Sequence, residues 1–333
     1  MPVTNKPRVF VTRAIHSEAL AKLAAEAEVE AWPEAYPPSN EVLLAKMGSV
    51  NGLLTMLTDP IDEQVITRGI PALKVIAQLA VGYDNIDIAA ATRHGIPVGH
   101  TPGVLTETTA DFAWALLMAA ARRVGEAERE VRSGLWQPWG PDVLTGLDVY
   151  GKTLGIIGLG RIGKAVARRA RGFSMKVLYN SPTRDLEAEQ ELDVEYVTLE
   201  RLLAQSDFVS LHLYYSPEAH HLLDRTAFEQ MKPNAVLVNT ARGAIVDPEA
   251  LTWALQTRRI AAAGIDVFDP EPIPANHPLL QLENVVITPH IASAGKETRQ
   301  KMAMMSVENI LAGLKGAPIP YCANLQVYEP RGT

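Results

Sequence analysis

With 333 residues, 47% of them apolar and 21% charged, the chain has enough apolar material to fold as a globule and is long for a single core, which predicts two domains and excludes a disordered protein. Its 38 acidic residues against 31 basic ones give a net charge of −7, and the arginines mingle with glutamates, as in RRVGEAEREVRSG, so there is no nucleic-acid footprint. The opening MPVTNKPRVFVT lacks a signal h-region, the longest apolar run (residues 112–121) is too short to span a bilayer, and the single Cys322 excludes an intrachain disulfide or a Cys-based zinc cluster, so a cytoplasmic protein with no membrane or metal partner is expected.

In the first hundred residues RVFVT, GLLTM, VIAQL and IPVGH read as strands, with helices around residues 18–27, 40–47 and 88–94. A long helix from 106 to about 124 leads into a Trp/Pro-rich loop, LWQPWGPDVLTGLDVYG. KTLGII then reads as a strand and IGKAVARRA as a helix with Ile162, Val166 and Ala170 on one face. Further strands follow at KVLYN, FVSLHL, AVLVN, AGIDV and VVITP, and a helix over residues 296–314 is stopped by KGAPIP. Strands alternating with helices from end to end make the fold class α/β, with parallel sheets built from βαβ units.

Between KTLGII and the following helix stands G-x-G-x-x-G: Gly158, Gly160 and Gly163. In that setting Gly158 permits the tight turn, Gly160 lets backbone N–H groups approach a pyrophosphate, and Gly163 lets helix and strand pack closely. The helix N-terminus favours negative charge. The acid that usually takes the ribose 2′-OH about 20 residues past the first glycine is missing, for KVLYN ends at Asn180 and continues SPTR.

Three later stretches each follow a predicted strand, where ligands of open α/β sheets gather. NTARGAIVD carries Arg242, DVFDPEP carries Asp266 and Glu271, and VVITPHIASA carries His290. An arginine can hold a carboxylate with two hydrogen bonds, a histidine can exchange a proton near neutral pH, and a glutamate beside it favours its charged form. The set fits proton-coupled hydride transfer on a small oxo or hydroxy acid. Of the other histidines, His212 lies inside a predicted strand and reads as structural, while His16, His94, His100, His220, His221 and His277 show no metal spacing.

With these motifs in order, the chain resembles the NAD(P)-dependent D-2-hydroxyacid dehydrogenases, and within them the glyoxylate/hydroxypyruvate reductases. The resemblance covers nearly the whole chain and is carried by VGYDNIDIAAATRHGI, TPGVLTETTADFAWALLMAAAR, VYGKTLGIIGLGRIGKAVA, VNTARGAIVD, AGIDVFDPEP and ITPHIASA. It implies two Rossmann-like domains with a cleft at their hinge: a discontinuous substrate domain (residues 1–100 plus 294–333) and a dinucleotide-binding domain (101–293), with a dimerisation helix and loop at about 106–150 and hence a homodimer. It further implies that Arg242 binds and polarises the substrate, that Glu271 supports His290, and that His290 gives its proton to the keto oxygen of a small 2-oxo acid. The N–H groups of Val81 and Gly82 would hold the substrate carboxylate, and Asp266 would contact the nicotinamide amide. Thr109, Leu159, Arg161, Ile162, Thr240, Ala241 and Ala292 would join the glycines, Asn180 and His290 around the cofactor.

Ser181, Thr183 and Arg184 would hold the 2′-phosphate of NADP(H), making it the preferred cofactor, with NAD(H) use remaining. Pro182 stands where a close relative offers a second arginine, and LHLYYSPEA has Tyr214 near the usual family proline, which bears on the adenine-side contacts. Trp136 and Trp139 are expected either near an active site or in interface packing, and Leu53, Met56 and Leu57 either as pocket walls or as core. Val81 replaces the lysine of phosphite dehydrogenase, no residues remain for the regulatory domain of phosphoglycerate dehydrogenases, and the insertions of formate dehydrogenase are lacking. Two other readings are a dehydrogenase for a longer 2-oxo acid and, since fold does not fix function, an NAD(H)-gated co-repressor-like binding scaffold.

Overall fold

The computed structural model describes residues 6–329. The chain divides into two compact units, one formed by residues 1–105 and 295–333 and the other by 106–294. The first unit begins with β1 (Arg8–Val11), α1 (Ser17–Glu26), β2 (Glu28–Ala31), α2 (Asn40–Met47), β3 (Gly52–Thr55), α3 (Glu63–Gly69), β4 (Val75–Gln78), α4 (Ile88–Arg93) and β5 (Val98–Gly99). The second contains α5 (Thr106–Ala121), α6 (Val124–Arg132), β6 (Thr153–Ile157), α7 (Arg161–Ala170), β7 (Lys176–Asn180), α8 (Leu186–Leu192), β8 (Val194–Tyr196), α9 (Leu199–Gln205), β9 (Phe208–Leu211), α10 (Arg225–Gln230), β10 (Val236–Asn239), α11 (Pro248–Gln256), β11 (Ala262–Ile265) and β12 (Val285–Ile287). The chain then returns to the first unit as α12 (Lys296–Leu314).

The first unit is a parallel five-stranded sheet in the order β2-β1-β3-β4-β5. Its central strands are short apolar runs buried on both faces, as parallel sheets require. Phe10, Leu53 and Ile76 point to one face, and Val9, Val11, Leu54, Val75 and Ala77 to the other, where Val307 and Ile310 of α12 cover them. The second unit is a parallel seven-stranded sheet in the order β12-β11-β10-β9-β6-β7-β8. Leu154, Ile156, Phe208, Val236 and Val238 face α5 and α7, while Ile157, Val209, Leu211 and Leu237 face the layer of α9, α10 and α11. Several helices start on a side chain that accepts from their first turn, as Asp185 does for α8, Asp224 for α10 and Asp247 for α11, each cap worth about 1 kcal/mol.

The strand order reverses between β6 and its neighbours β7 and β9, the switch point at which open α/β sheets bind ligands. Among the described residues no helix is long and apolar enough to cross a membrane.

Two expectations change. The helix foreseen from 106 to about 124 ends at Ala121, Arg123 adopts a left-handed backbone (φ 54°), and a separate helix α6 follows. The cause is the returning chain: Leu147 N–H donates to the Ala121 carbonyl (2.8 Å), and Gly146 sits so close that a Cβ there would lie 2.4 Å from that oxygen. The run FVSLHL closes its strand at Leu211, so His212 stands just past the strand end. The edge strand β2 carries glutamates at exposed positions and β8 one at a partly buried position, so both lack the apolar run of a buried strand.

Candidate active site

The glycine turn joins β6 to α7. Gly158 has φ 94°, and a Cβ there would lie 2.6 Å from Leu213 N, so both the turn and its neighbour demand glycine. Gly163 packs its Cα against the Gly158 carbonyl, where a Cβ would come within 2.2 Å. At Gly160 nothing lies within 4 Å of the Cβ position. The protein does not require glycine at Gly160 for its own packing, and the open space is what a pyrophosphate lying on the backbone would fill. Gly160 is also the N-cap of α7, and the N–H groups of the first turn, which include those of Arg161 and Ile162, have no side-chain cap there.

The register pairs Ile157 with Asn180, placing the loop after β7 beside the glycine turn. Gly158 N–H donates to the Asn180 carbonyl (2.8 Å) and Leu159 N–H to Ser181 Oγ (2.7 Å). Arg184, four residues past the strand, forms a two-pronged pair with Glu189 of α8, both contacts 2.7 Å. Thr183 lies between Ser181 and Arg184 on this loop. Thr109 is buried on α5. Thr240 directly follows β10 with its Oγ1 buried and unpartnered, and Ala241 comes next. A group that can complete Thr240, together with the open space at Gly160, makes these residues a fit for a dinucleotide.

β10, β11 and β12 are adjacent, with Asn239 paired to Ile265 and Ile265 to Ile287, so their carboxyl ends bring three loops side by side. After β10, the buried Asn239 folds a tight turn: its Nδ2 donates to the Arg242 carbonyl (2.8 Å) and its Oδ1 accepts from Ala241 N–H (3.0 Å). The Arg242 guanidinium donates to the Ala241 carbonyl (2.8 Å). Gly243 then lies directly on the Phe268 peptide, where a Cβ would sit 2.0 Å from the Phe268 carbonyl carbon. This contact locks the Arg242 loop onto the loop that carries Glu271.

Glu271 uses both carboxylate oxygens. One accepts from Phe268 N–H (2.8 Å) and the other faces His290 Nδ1 (2.8 Å). A carboxylate only accepts, so Nδ1 carries the proton and Nε2 is turned to the far side of the ring. His290 itself has a left-handed backbone (φ 54°), uncommon for a non-glycine residue. Asp266, fully buried, holds it there: its oxygens accept from Thr288 Oγ1 (2.7 Å), Ile291 N–H (2.8 Å) and Ala292 N–H (2.8 Å), and its carbonyl accepts from His290 N–H (2.8 Å). A carboxylate has about four acceptor positions, so Asp266 spends most of its capacity on the histidine loop.

In the first unit Val81 and Gly82 follow β4. The Ala80 carbonyl accepts from Thr101 N–H (2.9 Å) and the Val81 carbonyl from His100 Nδ1 (3.0 Å). Because peptides are planar and trans, the Val81 N–H points away from Thr101 N and the Gly82 N–H away from His100 Nδ1. The buried Gln78 donates to the Gly82 carbonyl (3.3 Å) and to Asn85 Oδ1 (2.6 Å), and Asn85 in turn donates to the carbonyls of Met56 and Asp59. Leu53 is core, while Met56 and Leu57 are partly buried. The residues that sequence reasoning did not single out are the holders: Asn239, Thr288, Gln78, His100 and Glu189. His212 faces Ser210 Oγ (2.8 Å), and burial pushes the pKa of its imidazole down to about 3, which favours the neutral ring near pH 7. Trp136 and Trp139 are 71% and 87% exposed, and Tyr214 is 71% exposed.

A glycine turn at a sheet's switch point and three polar loops at neighbouring strand ends define a dinucleotide-dependent oxidoreductase. The family model of the D-isomer specific 2-hydroxyacid dehydrogenase NAD-binding domain matches residues 114–292. A glyoxylate reductase of Korarchaeum cryptofilum is 53% identical over 327 residues, covering 98% of both chains, and one of Aeropyrum pernix is 49% identical over 331 residues with the same coverage. Among solved structures, the NADPH-dependent glyoxylate/hydroxypyruvate reductase of Sinorhizobium meliloti in complex with NADP and malonate aligns at a TM-score of 0.85 and 31% identity, covering 98% of this chain and 100% of that one. The chain therefore belongs to the D-isomer-specific 2-hydroxyacid dehydrogenase family, in its glyoxylate reductase branch, and is an NAD(P)-dependent oxidoreductase.

Proposed function

We propose that the protein reduces small 2-oxo acids, glyoxylate and hydroxypyruvate, to their 2-hydroxy acids, using NADPH in preference to NADH. The observation that carries the reading is the 2.8 Å contact between Glu271 and His290 Nδ1, which leaves Nε2 to work on a substrate. A reduced nicotinamide, when bound, would supply the hydride for the carbonyl carbon. His290 Nε2 delivers the proton to the carbonyl oxygen, and Glu271 balances the imidazolium before that transfer. Arg242 would bind the substrate and polarise the oxo group, and the N–H groups of Val81 and Gly82 would hold the carboxylate. Asp266 keeps His290 in place, and contact with the nicotinamide amide would require its carboxylate, fully buried here, to be uncovered.

Residues 106–294 would bind the cofactor and carry Arg242, Glu271 and His290, and the first unit would contribute Val81 and Gly82. NADPH preference is supported by the missing acid at Asn180 and by Ser181, Thr183 and Arg184 on the loop beside the glycine turn. The exposed Leu135, Trp136, Trp139 and Val143 on the segment after α6 support a homodimer formed through this arm. We place the protein in the cytoplasm. The test is the initial rate of NADPH and of NADH oxidation with glyoxylate, hydroxypyruvate and pyruvate in turn. Fast oxidation of NADPH by either of the first two is expected. A preference for longer 2-oxo acids moves the substrate assignment, and no turnover with any 2-oxo acid leaves the binding-scaffold reading in its place.

A further inference from the structure

The loop that should take a 2′-phosphate is already occupied by carboxylates of its own chain. Arg184 points both prongs of its guanidinium at Glu189, with Nε to Oε1 and a terminal nitrogen to Oε2 at 2.7 Å each. Glu189 is fixed independently, because the buried Tyr179 donates its hydroxyl to Oε1 (2.8 Å), and that hydroxyl accepts from Asp185 N–H (2.9 Å). The nearby cation Lys164 is paired with Asp185 at 2.7 Å. The side chain of Glu189 is only 16% exposed, whereas that of Arg184 is 56% exposed, so the arginine is the member free to swing.

We infer that Glu189 tempers the cofactor preference: its carboxylate fills the guanidinium fork of Arg184 that a ribose 2′-phosphate must take over. The inference rests on the proposed 2′-phosphate role of Arg184. A phosphate monoester carries more charge than a carboxylate and offers more acceptor oxygens, so it wins the fork. It does so at the expense of an existing ion pair, and it leaves Glu189, held by Tyr179, as an unpaired negative charge close to the phosphate. NADH leaves the pair intact. Glu189 thus narrows the gap between the two cofactors.

The test uses the full-length enzyme and compares Glu189→Gln, Arg184→Ala and the double variant. The readouts are the ratio of kcat/KM for NADPH to that for NADH and the inhibition constants of 2′,5′-ADP and 5′-AMP. Gln keeps an oxygen for the Tyr179 hydroxyl while releasing Arg184. An exposed ion pair of this kind is worth about a two- to five-fold effect, so Glu189→Gln should raise the NADPH/NADH ratio and tighten 2′,5′-ADP relative to 5′-AMP by that factor. In the Arg184→Ala background the same change should do little. If Glu189→Gln leaves the ratio unchanged or lowers it while Arg184→Ala still weakens NADPH selectively, the inference fails and the 2′-phosphate role of Arg184 stands. If Arg184→Ala affects both cofactors equally, both fail together.

Discussion

The loops after β10, β11 and β12 and the loop after β7 stand at strand ends of the same sheet, yet they are held by different means. Around Arg242 and His290 the holders are buried: Asn239 folds one turn, Asp266 gathers three donors from the next, and Gly243 presses one loop on the other. Around Arg184 the holder is a half-exposed ion pair. Buried hydrogen bonds to a charged group are worth about 1.5–3 kcal/mol each and are costly to break, whereas exposed pairs are worth under about 1 kcal/mol. The geometry around Arg242 and His290 is therefore the firmly held one, and the Arg184 loop is the adjustable one.

Substitutions that break the rigid side should have the larger effects. Gly243→Val would force a side chain into the Phe268 peptide and separate the two loops; a displacement of about 1 Å at such a site can cost about 100-fold in rate. The check is kcat together with a thermal melt showing the remainder folded. Glu271→Gln removes the negative charge facing His290 Nδ1, and on the proposed mechanism kcat for reduction should fall about 10-fold, part of what a general acid contributes. His100→Ala frees the Val81 carbonyl and loosens the N–H pair, so KM for the 2-oxo acid should rise about five-fold with a smaller change in kcat, as expected when about one hydrogen bond's worth of binding is lost. On the adjustable side, Arg184→Ala should raise KM for NADPH about five-fold more than KM for NADH. An equal effect on both would show that Arg184 does not discriminate.

The glycine turn and the residues Arg242, Glu271 and His290 were legible in the sequence because each lies in a short stretch just past an apolar strand, where chemistry and secondary structure are written together. The holders were not. His100 meets Val81 across 19 positions and Thr288 meets Asp266 across 22, and no local pattern encodes such pairings. The break between α5 and α6 was hidden for the same reason, since it is imposed by residues 146–147 returning over Ala121. Glu189 was visible as a charge five residues after Arg184, off the helical spacing that marks a pair in sequence.

The measurement that bears most directly on the site is kcat for glyoxylate reduction by His290→Ala, taken with its affinity for NADPH from nicotinamide fluorescence. A fall in kcat of about 100-fold or more with NADPH still bound is the predicted result. An unchanged kcat would show that the proton comes from elsewhere and that the Glu271–His290 pair is not the acid of this enzyme.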